Sequence, residues 1–278
     1  MLKQRVLTAI ILFAGLYAAL TGLDLQGWSW LVALVLGLAG WEWGRLCGLG
    51  PAAARTTGVI TFALVAASAQ YAFFSNTNPA IAASFLSSLH ALAIAFWLLA
   101  VPFWMFRGGR PAQSWLMLTG LVVLLPPALA LIQLRGEGLL PLILLMAIVW
   151  IADIAAYFTG KAFGRHKLAP SISPGKTWEG AAGAVMAVQC YGLAIKPWLF
   201  EGATDPGFFA WGVILLLLTA VSIVGDLFES MMKRQAGMKD SSQLLPGHGG
   251  VLDRVDSLTA TLPLIGFALL NLLPGAQV

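Results

Sequence analysis

The residues best suited to chemistry lie between Gly225 and Ser257, in the run GDLFESMMKRQAGMKDSSQLLPGHGGVLDRVDS. It holds five carboxylates, Asp226, Glu229, Asp240, Asp253 and Asp256. Asp226 ends an otherwise apolar run, and a continuing helix sets Asp226, Glu229 and Lys233 on one face. Asp253 and Asp256 share a face of the next helix in the same way. Two carboxylate pairs brought together make a hard oxygen site. Such a site suits Mg²⁺, which binds through one or two carboxylates and a substrate's phosphates. No His or Cys cluster points to zinc. The bases Lys233, Arg234, Lys239 and Arg254 are interleaved with the acids, as a metal-bound polyphosphate requires. Pro246-Gly247-His248-Gly249-Gly250 lets the backbone approach a ligand and can aim N–H groups at an anion. A solvated charged loop with a glycine turn is the plainer alternative.

A second polar stretch, Lys161–Gly180, reads KAFGRHKLAPSISPGKTWEG. Ser173-Pro174-Gly175-Lys176-Thr177 resembles a phosphate-binding turn but lacks the leading glycine and spacing of a Walker A sequence. Lys167 and Lys176 are candidate phosphate contacts. Glu179 either binds metal or caps the helix that follows. An ordinary basic loop is the alternative for the whole stretch. Asp153 sits inside an apolar run, where an acid is costly and marks function by default; an interhelical hydrogen bond is its structural alternative. Glu42, between Trp41 and Trp43, reads as an interfacial residue, and His90 as a packed polar one.

The elements that must position these residues are membrane helices. Of 278 residues, 59% are hydrophobic and 10% charged, with mean hydropathy +0.85. A soluble domain carries about 25% charged residues. Nine apolar segments are expected at 6–23, 28–46, 57–74, 80–104, 115–134, 139–160, 180–199, 208–228 and 257–274. In lipid each must be a helix, because backbone groups cannot be left unpaired in hydrocarbon. The breaks at 75–79, 107–111 and 202–207 are turn sequences, and Pro126-Pro127 predicts a kink. The fold expected is therefore all-α and membrane-integral, with nine spans. Cys47 and Cys190 read as two small buried residues rather than a disulfide or a metal motif.

Lys and Arg orient the spans. With the N-terminus in the cytoplasm, 14 of the 16 fall on the cytoplasmic side and only Arg135 and Lys196 on the other. The C-terminus is then periplasmic, and the rich loops 161–180 and 229–256 face the cytoplasm. The net charge of +4 thus reflects orientation and does not call for nucleic acid. The chain divides into a scaffold at 1–135, with any dimer contacts, and a catalytic region at 136–278.

The pattern Ser230-x-Met232-Lys233-Arg234-x4-Lys239-Asp240-x-Ser242-x2-Leu245-Pro246-x-His248-Gly249-Gly250-Val251-x-Asp253-Arg254-Val255-Asp256 resembles the signature of the phosphatidate cytidylyltransferases, or CDP-diacylglycerol synthases. Ser173–Gly180 and Asp153 resemble that family's upstream pattern. The resemblance covers about 153–257 and implies a multi-span, dimeric enzyme in the bacterial inner membrane. It would transfer a cytidylyl group from CTP to phosphatidic acid. It also implies Mg²⁺, with room for a second cation such as K⁺. Asp226 and Asp253 are the first-choice metal ligands, with Asp256 and Glu229 next. Lys233, Arg234, Lys239, Lys176 and Arg254 would hold phosphates. Lys167, Ser173, Thr177, Asp240, His248, Gly249 and Gly250 complete the expected substrate site. The lipid phosphate would attack the α-phosphorus of CTP directly, with Asp226, Lys233, Asp253, Arg254 and Asp256 at the reacting centre. Two other readings are a transporter, which should show inverted repeats, and an enzyme with another lipid phosphate as acceptor. If the signature acids form the site, Asp253→Asn abolishes turnover and leaves the protein folded, as activity and melting assays on the purified variant would show; a folded variant near wild-type rate would contradict it.

Overall fold

The computed structural model describes residues 2–200 and 205–271. The turn expected at 202–207 therefore lies partly outside the described residues. So do the last three positions of the ninth apolar segment and the C-terminus, whose periplasmic placement they would carry.

Among the described residues the chain forms nine helical rods. They are α1 (Leu2–Gly22), α2 (Leu25–Leu46), α3 (Pro51–Phe74), α4 (Pro79–Arg107), α5 (Gln113–Gly136), α6 (Leu139–Phe163), α7 (Trp178–Leu199), α8 (Phe208–Gln235) and α9 (Leu252–Asn271). Each matches one apolar segment of the sequence. Five, α3 to α6 and α8, are long and apolar enough to cross a membrane, which makes this a multi-pass membrane protein. The others carry charges within their helices, such as Glu42 and Arg45 in α2 or Asp253, Arg254 and Asp256 in α9.

Local chemistry accounts for the helix starts. Asp24 caps α2 by accepting from the Gly27 N–H at 2.7 Å, and Asn78 caps α4 by accepting from the Ala80 N–H at 2.9 Å. Pro51 and Pro79 stand in the first turns of α3 and α4, where a missing N–H costs nothing. Pro126 and Pro127 are buried inside α5 and do not end it. Two π turns, Gln70–Phe74 and Phe96–Ala100, interrupt α3 and α4. The second brings Phe96 and Trp97 against Phe228 of α8, with centroids 5.9 and 5.4 Å away. Trp104 and Trp43 reach the same ring at 5.3 and 6.3 Å. Pairs of this kind contribute about 0.5–1.5 kcal/mol each beyond area burial, so Phe228 ties α2, α4 and α8 together.

One buried cluster runs through both halves, from Trp28 to Ile265. The central rod is α9, which packs on α4, α5 and α8. Small residues set the closest approaches, as is usual where helices meet in lipid. A Cβ on Gly225 of α8 would lie 2.8 Å from the Asp256 carbonyl oxygen and 2.9 Å from Ala260 Cβ.

Two expectations are corrected. The stretch 161–180 is not an irregular loop: Lys167–Ala169 (β1) pairs antiparallel with Ser173–Thr177 (β2), with Lys167 opposite Thr177 and Ala169 opposite Ser173. The pairing satisfies backbone groups that a loop would leave to water, so among the described residues the fold is all-α apart from this hairpin and a single bridge between Leu245 and Gly249. Cys47 is buried, but Cys190 is exposed on α7; both thiols are free. Helical spacing had no way to show which face of α7 is covered.

Gly225→Ala is expected to separate α8 from α9 and cost about 1–3 kcal/mol. A thermal melt in detergent should show a lower Tm, and an unchanged Tm would mean that this contact does not set the approach.

Candidate active site

The hairpin and four helices, α6 to α9, surround a cavity of about 640 Å³. Helix α6 contributes Asp153, Tyr157 and Lys161; the hairpin gives Ser173, Lys176 and Thr177; α8 gives Asp226; and α9 gives Asp253 and Asp256. Four aspartates that are far apart in sequence thus face one space. The helical spacings explain part of this. Asp153 and Tyr157 lie one turn apart on α6, and Asp253 and Asp256 lie one turn apart on α9.

The hairpin is placed by a cap. Thr177 ends β2 and starts α7, and its hydroxyl accepts from the Gly180 N–H at 3.1 Å. The Trp178 N–H donates to the His166 carbonyl at 3.0 Å, closing the hairpin's base. Lys176 is thereby carried over the cavity, where its ammonium pairs with Asp226. Glu179, for which metal binding and helix capping were both open, is taken by His166. Its Oε1 lies 2.6 Å from His166 Nδ1, and the carboxylate also accepts the His166 N–H at 3.2 Å. The His166 side-chain hydrogen bond, backed by backbone donors, pulls the Glu179 carboxyl down to about 2.

Beside the cavity the acids and bases of α8 and α9 interlock. Lys233 Nζ lies 2.6 Å from Asp253 Oδ1 and 3.4 Å from Glu229 Oε1. The other Asp253 oxygen, Oδ2, accepts from the Ser241 N–H at 2.9 Å, the Ser241 hydroxyl at 2.9 Å and the Gly250 N–H at 2.8 Å. Asp253 is therefore saturated by protein donors. Glu229 is buried next to Asp256, and neither of its carboxylate oxygens has a hydrogen-bond partner among the described residues. Asp226 and Lys176 stay accessible from the cavity, with side chains 28% and 26% exposed.

The rest of the signature surrounds a second cavity of about 480 Å³. Lys239, Asp240, His248, Gly249 and Arg254 line it. Pro246 and Gly247 occupy the middle of a tight turn, closed by the His248 N–H donating to the Leu245 carbonyl at 2.8 Å. Gly247 adopts φ +77°, the left-handed geometry that such a turn asks of a glycine. The His248 and Gly250 N–H groups, expected to be free for an anion, are used inside the protein. The structure therefore splits the predicted site residues into two groups. Asp226, Asp253, Asp256, Ser173, Lys176 and Thr177 meet at the first cavity. Lys239, Asp240, His248, Gly249 and Arg254 meet at the second. Gly250 is buried between them. Lys233 and Glu229 lie behind the first, while Lys167 and Arg234 are exposed and line neither.

Sequence reasoning had not assigned Lys161 or Tyr157 to the site. Lys161 Nζ stands 5.8 Å from the Tyr157 ring centroid. The helical spacing from Asp153 to Tyr157 to Lys161 was the available signal. Glu42 was missed more completely. It is not interfacial but wholly buried, 0% exposed, beneath the signature loop. The loop folds back over the end of α2, a long-range contact that no local pattern contains.

Among the described residues, no three His, Cys, Asp or Glu side chains come close enough to form a complete cage for a metal ion. A cage is not required, since Mg²⁺ uses one or two carboxylates and takes its other ligands from phosphates and water. Four aspartates on one cavity supply the right donor type, and the residues present fit the ion.

Comparison with known proteins now adds to the geometry. The cytidylyltransferase family pattern matches residues 3–272. A phosphatidate cytidylyltransferase of Pseudomonas aeruginosa is 40% identical over 284 residues, covering 95% of each chain. One from Haemophilus influenzae is 36% identical over 289 residues, covering 96% of this chain and 98% of its own. One from Synechocystis sp. is 36% identical over 305 residues, covering 98% and 97%.

Thr177→Ala removes the α7 cap and should destabilise the protein by about 1 kcal/mol. A thermal melt tests this, and no change in Tm would show that the hydroxyl does not hold the hairpin in register.

Proposed function

The chain belongs to the cytidylyltransferase family of enzymes, and from that membership we propose that it transfers the cytidylyl group of CTP to phosphatidic acid, releasing CDP-diacylglycerol and pyrophosphate. The observation that carries the reading is the cavity in which Asp153, Asp226, Asp253 and Asp256 face Lys161 and Lys176. Its volume of about 640 Å³ falls within the range of small-molecule sites. The named relatives, which this chain matches over nearly its whole length, supply the substrate class.

In the proposed reaction an oxygen of the lipid phosphate attacks the α-phosphorus of CTP. The new P–O bond forms as the bond to the β-phosphate oxygen breaks, and pyrophosphate leaves with that electron pair. A phosphate monoester has a second pKa of about 6, so the nucleophile is already largely dianionic at neutral pH. No general base is needed. The difficulty is to bring two anions together, and positioning and electrostatics supply most of the rate. Lys176 and Lys161 oppose phosphate charge within the first cavity. Lys239 and Arg254 do the same in the adjoining one. Lys233 offsets the charge of Asp253 and Glu229 from behind.

Asp226 and Asp256 are the residues that would hold Mg²⁺, because Asp253 is already engaged by four protein donor contacts. The ion, when bound, supplies charge neutralisation at phosphate oxygens. A monovalent cation such as K⁺ beside it is part of the same proposal.

The surrounding arrangement is proposed with it. All nine rods cross the bacterial inner membrane, with the N-terminus cytoplasmic, the C-terminus periplasmic and both cavities open to the cytoplasm. The Lys and Arg distribution supports this orientation. Residues 1–135 act as scaffold and 136–278 carry the chemistry, in a homodimer.

The test is an assay of the full-length protein in detergent with labelled CTP, phosphatidate and Mg²⁺, with omission of lipid and the Asp226→Asn variant run alongside. CDP-lipid and pyrophosphate should form only with lipid present. The folded variant should lose on the order of a hundredfold or more in rate. CTP binding without a phosphatidate product would move the acceptor to another lipid phosphate, and absence of CTP binding would overturn the reading.

A further inference from the structure

Glu42 has a hydrogen-bonding shell as full as that of Asp253, yet it lies outside the signature and outside both cavities. Its carboxylate receives four hydrogen bonds, all from residues about 200 positions away. The Ser242 hydroxyl and the Val251 N–H donate to Oε1 at 2.6 and 2.9 Å. The Ser241 hydroxyl and the Leu252 N–H donate to Oε2 at 3.0 and 2.8 Å. Two of these N–H groups, those of Val251 and Leu252, belong to the start of α9, where no intrahelical acceptor exists for them. One residue of α2 thus does for α9 what a local cap does elsewhere.

The same shell reaches the site. The Ser241 hydroxyl lies 3.0 Å from Glu42 Oε2 and 2.9 Å from Asp253 Oδ2. A hydroxyl has a single proton, so the Ser241 group lies between the two carboxylates and shares that one proton across them. Asp253 in turn lines the first cavity and pairs with Lys233. Other residues of the N-terminal half secure the loop around this point. Arg45 donates to the Ser241 carbonyl at 3.1 Å, and Arg110 donates to the Gln235 carbonyl at 2.8 Å. Gly250 completes the fit, since a Cβ there would collide with both the Ser241 hydroxyl and the Glu42 carboxylate.

We infer that Glu42 is a positioning residue for the transfer reaction: its carboxylate holds the loop between α8 and α9 and, through the Ser241 hydroxyl, sets the orientation of Asp253 at the cavity. The inference rests on the proposed cytidylyl transfer for its kinetic readout but not for its structural one. It assigns Ser241 and Ser242 to the scaffold rather than to substrate. It also gives the N-terminal half a direct part in the chemistry's geometry.

The test is Glu42→Gln in the full-length protein. An amide nitrogen cannot accept, so at least two of the four donors lose their partner. Hydrogen exchange should speed up at Val251 or Leu252, whichever N–H faces the amide nitrogen, and stay unchanged in α6. Per folded molecule, kcat should fall by about tenfold to a hundredfold, because small displacements of reacting groups have effects of that size. KM for phosphatidate should change by less than about threefold, since the contacts to lipid are not altered. A purely structural role would lower Tm and leave kcat per folded molecule at the wild-type value; that result would overturn the inference, as would unchanged exchange at Val251 and Leu252. If Glu42→Gln does not fold, Ser241→Ala breaks the bridge while leaving the other three Glu42 bonds. It should lower kcat by about tenfold, and a wild-type kcat would equally overturn the inference. Inactive wild-type protein would count against the proposed reaction alone, and the exchange measurement would still decide whether Glu42 holds the loop.

Discussion

A carboxylate removed from water must be hydrogen-bonded or paired, or its cost exceeds what the fold can bear. The architecture is arranged around that constraint. Glu42 meets it with four donors and Asp253 with a lysine and three hydrogen bonds, and one serine hydroxyl joins the two. These contacts bring α2, the signature loop and α9 to one point. Without them the loop between Gln235 and Leu252 would keep its short turn at Leu245–Gly249 and the arginine contacts to its backbone, but nothing to fix its return onto α2 and α9. The aromatic cluster around Phe228 and the close approach at Gly225 then hold α8 at the distance this arrangement requires.

The acids on the other side are left less satisfied, and that contrast is why the reactive face is proposed there. Among the described residues Asp226 is paired with the Lys176 ammonium and accepts a long contact from the Ser230 hydroxyl at 3.3 Å. Glu229 is buried with no hydrogen-bond partner among the described residues, its charge met by Lys233 at 3.4 Å. Asp153 and Asp256 face the same cavity. Protein donors hold Asp253 in place, whereas Asp226 and Asp256 present charge to the space where a polyphosphate and its cation would sit. The hairpin contributes the opposing charge through Lys176, held over the cavity by the cap at Thr177. Separate elements thus supply the acids, the base and the frame.

Much of this was legible in the sequence. Every apolar segment corresponds to a rod, because a run of about 20 apolar residues has few alternatives in lipid. The acids at 153, 226, 253 and 256 were marked by their position within or beside apolar runs, and they do converge. Other features depended on contacts across long stretches of chain. Glu42 lies within one residue of two tryptophans and near the end of its helix, a pattern that suits a membrane interface equally well; only the returning loop buries it. The π turns at Gln70–Phe74 and Phe96–Ala100 have no marker as plain as a proline. The hairpin at 167–177 consists of three and five residues, too short for an alternating pattern to stand out. Division of the signature between two cavities depends on which way α9 turns, with Asp253 and Asp256 on one side and Arg254 on the other.

The account's central claim is that phosphoryl chemistry takes place in the cavity bounded by the hairpin and α6 to α9. An experimental structure of the full-length protein with a non-hydrolysable CTP analogue and Mg²⁺ tests it most directly. The account predicts the α-phosphate between Lys176 and the pair Asp226 and Asp256, with the ion on those two aspartates. A nucleotide bound with its α-phosphate elsewhere, and this cavity empty, would contradict it.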